Sequence, residues 1–99
     1  MTITQTQQEG RIIFAVSGRI DAAAATRFQE ALLPVLSFVP VVELNFANLL
    51  YISSAGLRVL LLAVKAAKQT GTQIILRNLS GDIHKVIQTI GLDAVLTIE

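Results

Sequence analysis

Apolar and polar positions along this 99-residue chain repeat at two different periods. Near the start, Ile3 to Thr6 and Arg11 to Ser17 flank the polar Gln7, Gln8, Glu9 and Gly10, a pattern that predicts two strands joined as a hairpin. In the second run Ile12, Phe14 and Val16 alternate with Ile13, Ala15 and Ser17. Both sides are fairly apolar, so one is expected to lie under a helix, and Gly18 is expected to end the strand. Asp21 is a good N-cap for the segment AAAATRFQEALLPVL, whose four alanines favour a helix and whose Phe28, Leu32, Val35 and Leu36 share one face. Pro34 has no amide proton and crowds the preceding turn, which predicts a kink or an end near Leu33.

Val41 to Phe46 predicts a central strand and Ala47 to Ile52 a loop. A helix is then expected from about Ser54 to Thr70, with Gly71 as its C-cap. Thr72 to Asn78 predicts another strand, Ser80 to Ile90 a third helix closed by Gly91, and Ala94 to Ile98 a final short strand. This order predicts the α/β class: a small mixed β-sheet of about four to five strands covered by three main helices, in one domain over residues 1–99. In the second helix Leu57, Leu60, Leu61 and Val64 have core spacing, while Arg58, Leu62, Lys65 and Gln69 follow one another on another face. Val59, Ala63 and Ala66 widen the apolar margin, which suits either a fully buried helix or a surface kept for a protein partner.

Composition narrows the functions. Hydrophobic residues make up 53% of the chain and charged ones 15%, and there is no cysteine, so the core must form without disulfides. A net charge of +1 is far from the clustered positive field of a nucleic-acid reader. A mean hydropathy of +0.62 raises the question of a membrane. The longest apolar run, Val59 to Val64, is a third of the roughly 18 residues needed to cross a bilayer. The start, MTITQTQQEGR, has no basic segment leading into an apolar one, so no secretory signal is read and a cytoplasmic location is expected.

Catalytic constellations are scarce, and no enzyme or cofactor is expected. The single histidine, His84, is expected to be an ordinary surface or capping residue, and one imidazole cannot supply a transition-metal site. The glycines are dispersed and form no phosphate-cradling loop. The informative segment is Tyr51-Ile52-Ser53-Ser54-Ala55-Gly56-Leu57-Arg58, where two hydroxyls fall at a helix start. One of them caps the helix in the plainer reading. In the sharper one, an exposed serine there accepts a phosphate, which a helix N-terminus tolerates.

GRID at Gly18 to Asp21, the strand VVELNF and the segment YISSAGLRVLLLAVKAAKQTG resemble the STAS domains, specifically the bacterial anti-sigma factor antagonists. That family usually carries D-S-S-G-L or D-S-T-G-L, and the serine after the aspartate is phosphorylated by a serine kinase that doubles as the anti-sigma factor. The resemblance places the phosphoacceptor on Ser54, with Ser53 as the alternative. Ser53 stands where the family has its aspartate, and Ala55, just before Gly56, stands where it has a second hydroxyl. Asp21 falls on the acidic residue near the phosphoacceptor. The implied partners are an anti-sigma factor serine kinase and a serine phosphatase, with neither nucleic acid nor membrane, and Arg58, Val59 and Leu62 are the expected partner-binding residues. The rival is an adaptor of the same fold that is never phosphorylated.

Overall fold

Gly10 takes up a φ of +70°, which turns the chain sharply after strand β1 (Thr2–Gln8) and starts β2 (Arg11–Ile20). The two strands pair antiparallel in unbroken register from Thr2 opposite Ser17 to Gln8 opposite Arg11, the expected hairpin. The computed structural model describes residues 1–99. The remaining elements are α1 (Ala22–Leu32), β3 (Val41–Asn45), β4 (Leu49–Ile52), α2 (Ser54–Thr70), β5 (Gln73–Arg77), α3 (Gly81–Thr89) and β6 (Thr97–Ile98). The sheet runs β1-β2-β3-β5-β6, with β4 paired to the far end of β2. Every pairing except β1 with β2 is parallel, so the sheet is mixed.

The sheet has six strands, more than the four to five expected, and two local features account for most of the difference. Gly18 does not end β2. It adopts a φ of +85°, and the pairing register shifts between Gly18 and Arg19. A glycine kink of this kind redirects a strand without stopping it. Below the kink β2 pairs with β3, and above it with β4. Strand β4 lies inside the expected loop; Leu49 and Ile52 are buried while Leu50 and Tyr51 are exposed, so the alternation that signals a strand is missing.

One face of the sheet carries the core. Ile12, Phe14, Val16, Val42, Leu44, Phe46, Ile74 and Leu76 meet Phe28 and Leu32 of α1, Leu60 and Val64 of α2, and Ile83 and Ile87 of α3 in a single cluster of 24 buried residues. The rings of Phe28 and Phe46 lie 6.4 Å apart, a tilted aromatic contact. Helix α1 ends at Leu32, and a 3-10 turn over Leu33–Ser37 accommodates Pro34, as its chemistry predicts. That turn buries Leu36 but leaves Val35 partly exposed. Gly71 closes α2 in the left-handed conformation.

Helix α2 presents a different stripe from the one expected. Gly56, Val59, Leu60, Ala63, Val64 and Ala67 are buried, whereas Leu61 is 42% exposed and Leu57 only half-buried. Glycine and two alanines in the buried stripe let the helix axis come close to the sheet, so close packing outweighs side-chain bulk. On the opposite, helix-free face, Glu43 is buried in the middle of the sheet. Its Oε1 accepts from Arg11 Nη1 at 2.6 Å and from Arg77 Nε at 2.7 Å, and Arg77 Nη2 reaches Glu99 at 2.9 Å. The hydrogen bond that Arg77 donates to Glu43 holds its guanidinium above its ordinary pKa, with desolvation opposing it and the Glu43 and Glu99 charges adding to it.

Candidate functional site

Ile20 and Ile52 form the last residue pair between β2 and β4, and the Ser53 N–H donates to the Ile20 carbonyl at 2.8 Å. Two parallel strands that end in register release the next residues side by side, so Asp21 and Ser53 leave the sheet together and each opens a helix. The Asp21 carboxylate accepts from the Ala24 N–H at 2.8 Å, and Ser53 Oγ accepts from the Gly56 N–H at 3.2 Å. Both caps have extended backbones, with φ of −80° and −81°. The adjacent serines therefore divide the labour. Ser53 is the half-buried N-cap, and Ser54, the first residue of α2, is exposed.

Gly56 makes this junction possible. A Cβ at this position would lie 2.7 Å from Ile52 Cγ1 and 2.9 Å from Ile20 Cγ2, closer than side chains approach. The first turn of α2 thus rests directly on the end of the β2–β4 pair, and this fixes where Ser53 and Ser54 point. Ala55, beside it, is half-buried.

Of the three residues expected to meet a partner, Arg58 and Leu62 face outward, Leu62 being 37% exposed. Val59 does not. It is 3% exposed and belongs to the core cluster, because it lies one turn on from Gly56 on the stripe facing the sheet. Leu61 takes its place on the outer surface. Leu50, at 76% exposure, and Tyr51 add apolar surface immediately before Ser53, and the Arg19 guanidinium lies 4.4 Å from the centre of the Tyr51 ring. Sequence reasoning missed Leu50 and Tyr51; the unbroken apolar run Leu49 to Ile52 was the signal that a short strand, not a loop, leads into α2. His84 lies in the first turn of α3, partly exposed, with its N–H bonded to the Ser80 carbonyl.

No concave pocket contains Ser54. A groove of about 320 Å³ lies at the far end of α2 around Lys68, Gly71 and Val95, and one of about 190 Å³ lies around Thr4, Ser17, Asn45 and Asn48. Ser54 itself is exposed, and the segments on either side of it expose Leu50, Tyr51, Arg58, Leu61 and Leu62. Such a surface suits a macromolecule better than an enclosed small ligand.

Residues 2–99 match the STAS domain family. Over 92 residues the chain is 32% identical to the anti-sigma factor antagonist assigned as BtrV in Bordetella bronchiseptica, covering 92% of this chain and 79% of that protein. Among solved structures, an anti-sigma factor antagonist from Mycobacterium paratuberculosis superposes with a TM-score of 0.83 at 23% identity, over 98% of this chain and 83% of that one. The Bacillus cell fate determinant SpoIIAA in its phosphorylated form gives 0.80 at 19% identity, over 99% and 91%. The structures establish the shared fold. The chain belongs to the STAS domain family, among its anti-sigma factor antagonists.

Proposed function

We propose that this protein is the switched component of a partner-switching system. Unphosphorylated, it binds an anti-sigma factor that is a serine kinase, and the sigma factor is released. The kinase then moves the γ-phosphoryl group of ATP to Ser54 Oγ; the hydroxyl loses its proton, ADP leaves, and the complex separates until a serine phosphatase hydrolyses the ester. In this reading the chain is a binding module whose partners supply the catalysis, and it works in the cytoplasm, where sigma factors act.

The observation that carries the proposal is the division between Ser53 and Ser54. Ser53 Oγ is engaged in the cap, whereas Ser54 next to it is exposed, between the exposed Leu50 and Tyr51 before it and the exposed Leu61 and Leu62 further along α2. A phosphate adds about −1.5 to −2 charges at neutral pH, which the partial positive charge of a helix N-terminus accommodates without unfolding. At an apolar interface the same charge must be desolvated. A penalty of about 4 kcal/mol lowers affinity roughly a thousandfold, so no refolding is required. Because the chain has a net charge of +1, one phosphate also reverses the sign of the whole molecule.

Incubating wild type, Ser53→Ala and Ser54→Ala with the cognate kinase and ATP tests the assignment. Wild type and Ser53→Ala take up one phosphate each and Ser54→Ala takes up none. Equal incorporation into Ser54→Ala places the modification elsewhere, and no incorporation into wild type leaves the unmodified adaptor.

A further inference from the structure

We propose that a phosphate on Ser54 is received by Arg58, one turn further along α2, so that modification adds an anion to the docking surface and withdraws a free arginine from it. This inference rests on the reading of Ser54 as the phosphoacceptor and specifies how the site responds.

Helix α2 is regular from Ser54 to Thr70, so residues 54 and 58 are neighbours on its surface with Cβ atoms about 5–6 Å apart. Helical side chains lean toward the N-terminus, which lays the long Arg58 side chain back over the turn that begins with Ser54. Both residues are exposed, so neither gives up a buried contact to meet the other. Arg58 is also uncommitted. The three ion pairs of the molecule, Arg11–Glu43, Arg77–Glu43 and Arg77–Glu99, all lie on the helix-free face of the sheet.

The other charged groups around the junction favour the same pairing. On the side of α1 stands the Asp21 carboxylate, held by the Ala24 N–H, which repels a phosphate and turns it toward the flank of α2. On the β2–β4 side, Arg19 is stacked on Tyr51. Arg27, further along α1, reaches back to the Met1 carbonyl at 3.3 Å, and Glu30 lies beyond it. Arg58 is the cation that the backbone carries to the phosphate, and a guanidinium can meet two phosphate oxygens at once. Without the phosphate, the same guanidinium is free on the exposed side of α2, available to an acidic group on a partner.

The test uses protein with phosphoserine installed at position 54 during synthesis, so it needs no kinase, and failure of the kinase assay above leaves it intact. Phosphorus NMR follows the second ionisation of the phosphate in three backgrounds: Arg58, Arg58→Gln and Arg58→Lys. A neighbouring cation favours the dianion, so the Arg58→Gln midpoint lies higher by about 0.3 pH unit or more, and Arg58→Lys restores most of the difference. The gap narrows at about 1 M salt. Asp21, Arg19 and the helix N-terminus act equally in all three backgrounds, and matching amide spectra confirm a common fold. Coincident midpoints overturn the pairing. Withdrawal is read in partner affinity: phosphorylation weakens binding by a smaller factor in Arg58→Gln than in wild type, and equal factors overturn that half of the proposal.

Discussion

Gly56→Ala probes the junction that presents Ser53 and Ser54. The added methyl would fall 2.7 Å from Ile52 Cγ1, 2.9 Å from Ile20 Cγ2 and 3.3 Å from Ile52 Cδ1, and none of these contacts can be relieved by swinging a free side-chain end into solvent. Overpacking of a well-filled core costs about 1–3 kcal/mol. Replacing a helical glycine by alanine returns about 1 kcal/mol of helix propensity. The net expectation is a loss of about 0–2 kcal/mol, and for a domain of this size each kcal/mol lowers Tm by about 4–8 °C. Thermal unfolding followed by circular dichroism measures this. The strain should be relieved in an Ile52→Ala background, so Gly56→Ala should cost less there than alone. A higher Tm for Gly56→Ala, as at an ordinary exposed helix glycine, would refute the argument that α2 rests directly on β2 and β4.

Four further outcomes are expected. Ser53→Ala loses the cap to the Gly56 N–H and costs about 1 kcal/mol in urea unfolding, whereas Ser54→Ala unfolds like wild type. Val59→Asp buries a carboxylate in the core and abolishes cooperative unfolding, while Leu62→Asp leaves Tm nearly unchanged and weakens partner binding in calorimetry. Glu43→Gln removes the charge that joins β3 to Arg11 of β2 and Arg77 of β5, and lowers stability by about 1 kcal/mol in low salt. The pH dependence follows from the raised pKa of Arg77. A raised folded-state value contributes stability that is complete below the ordinary guanidinium range and is lost as pH rises through the folded value. Arg77 therefore adds no slope to stability between about pH 6 and 9, which denaturant melts of wild type across that range check in comparison with Arg77→Gln.

Features set by residues close together in the chain were legible in advance. Asp21 and Pro34 marked the start and end of α1, Gly71 the end of α2, and a serine the start of α2, because caps and proline act within a single turn. What was misread depends on partners distant in sequence. Gly18 looks like a stop, and only the arrival of β4 shows it to be a kink in a continuing strand. The bulky leucines of α2 suggest one face, but the sheet selects the stripe with Gly56, Ala63 and Ala67, so Val59 points inward and Leu61 outward. Glu43 gave no sign of burial in its own segment, since the arginines that neutralise it lie 32 and 34 positions away. At the candidate site the pair Ser53-Ser54 was visible at once. Which of the two caps the helix required the hydrogen bond from Gly56.

Partner affinity measured with and without the phosphate decides whether one group on Ser54 is enough to break the complex. Isothermal titration of the anti-sigma kinase with the unmodified chain, and with the chain carrying phosphoserine at position 54, compares the two states without any turnover. Tight binding of the unmodified chain is expected, with a loss on the order of a thousandfold with phosphoserine and both forms melting cooperatively. Equal affinities for the two forms would contradict the switch.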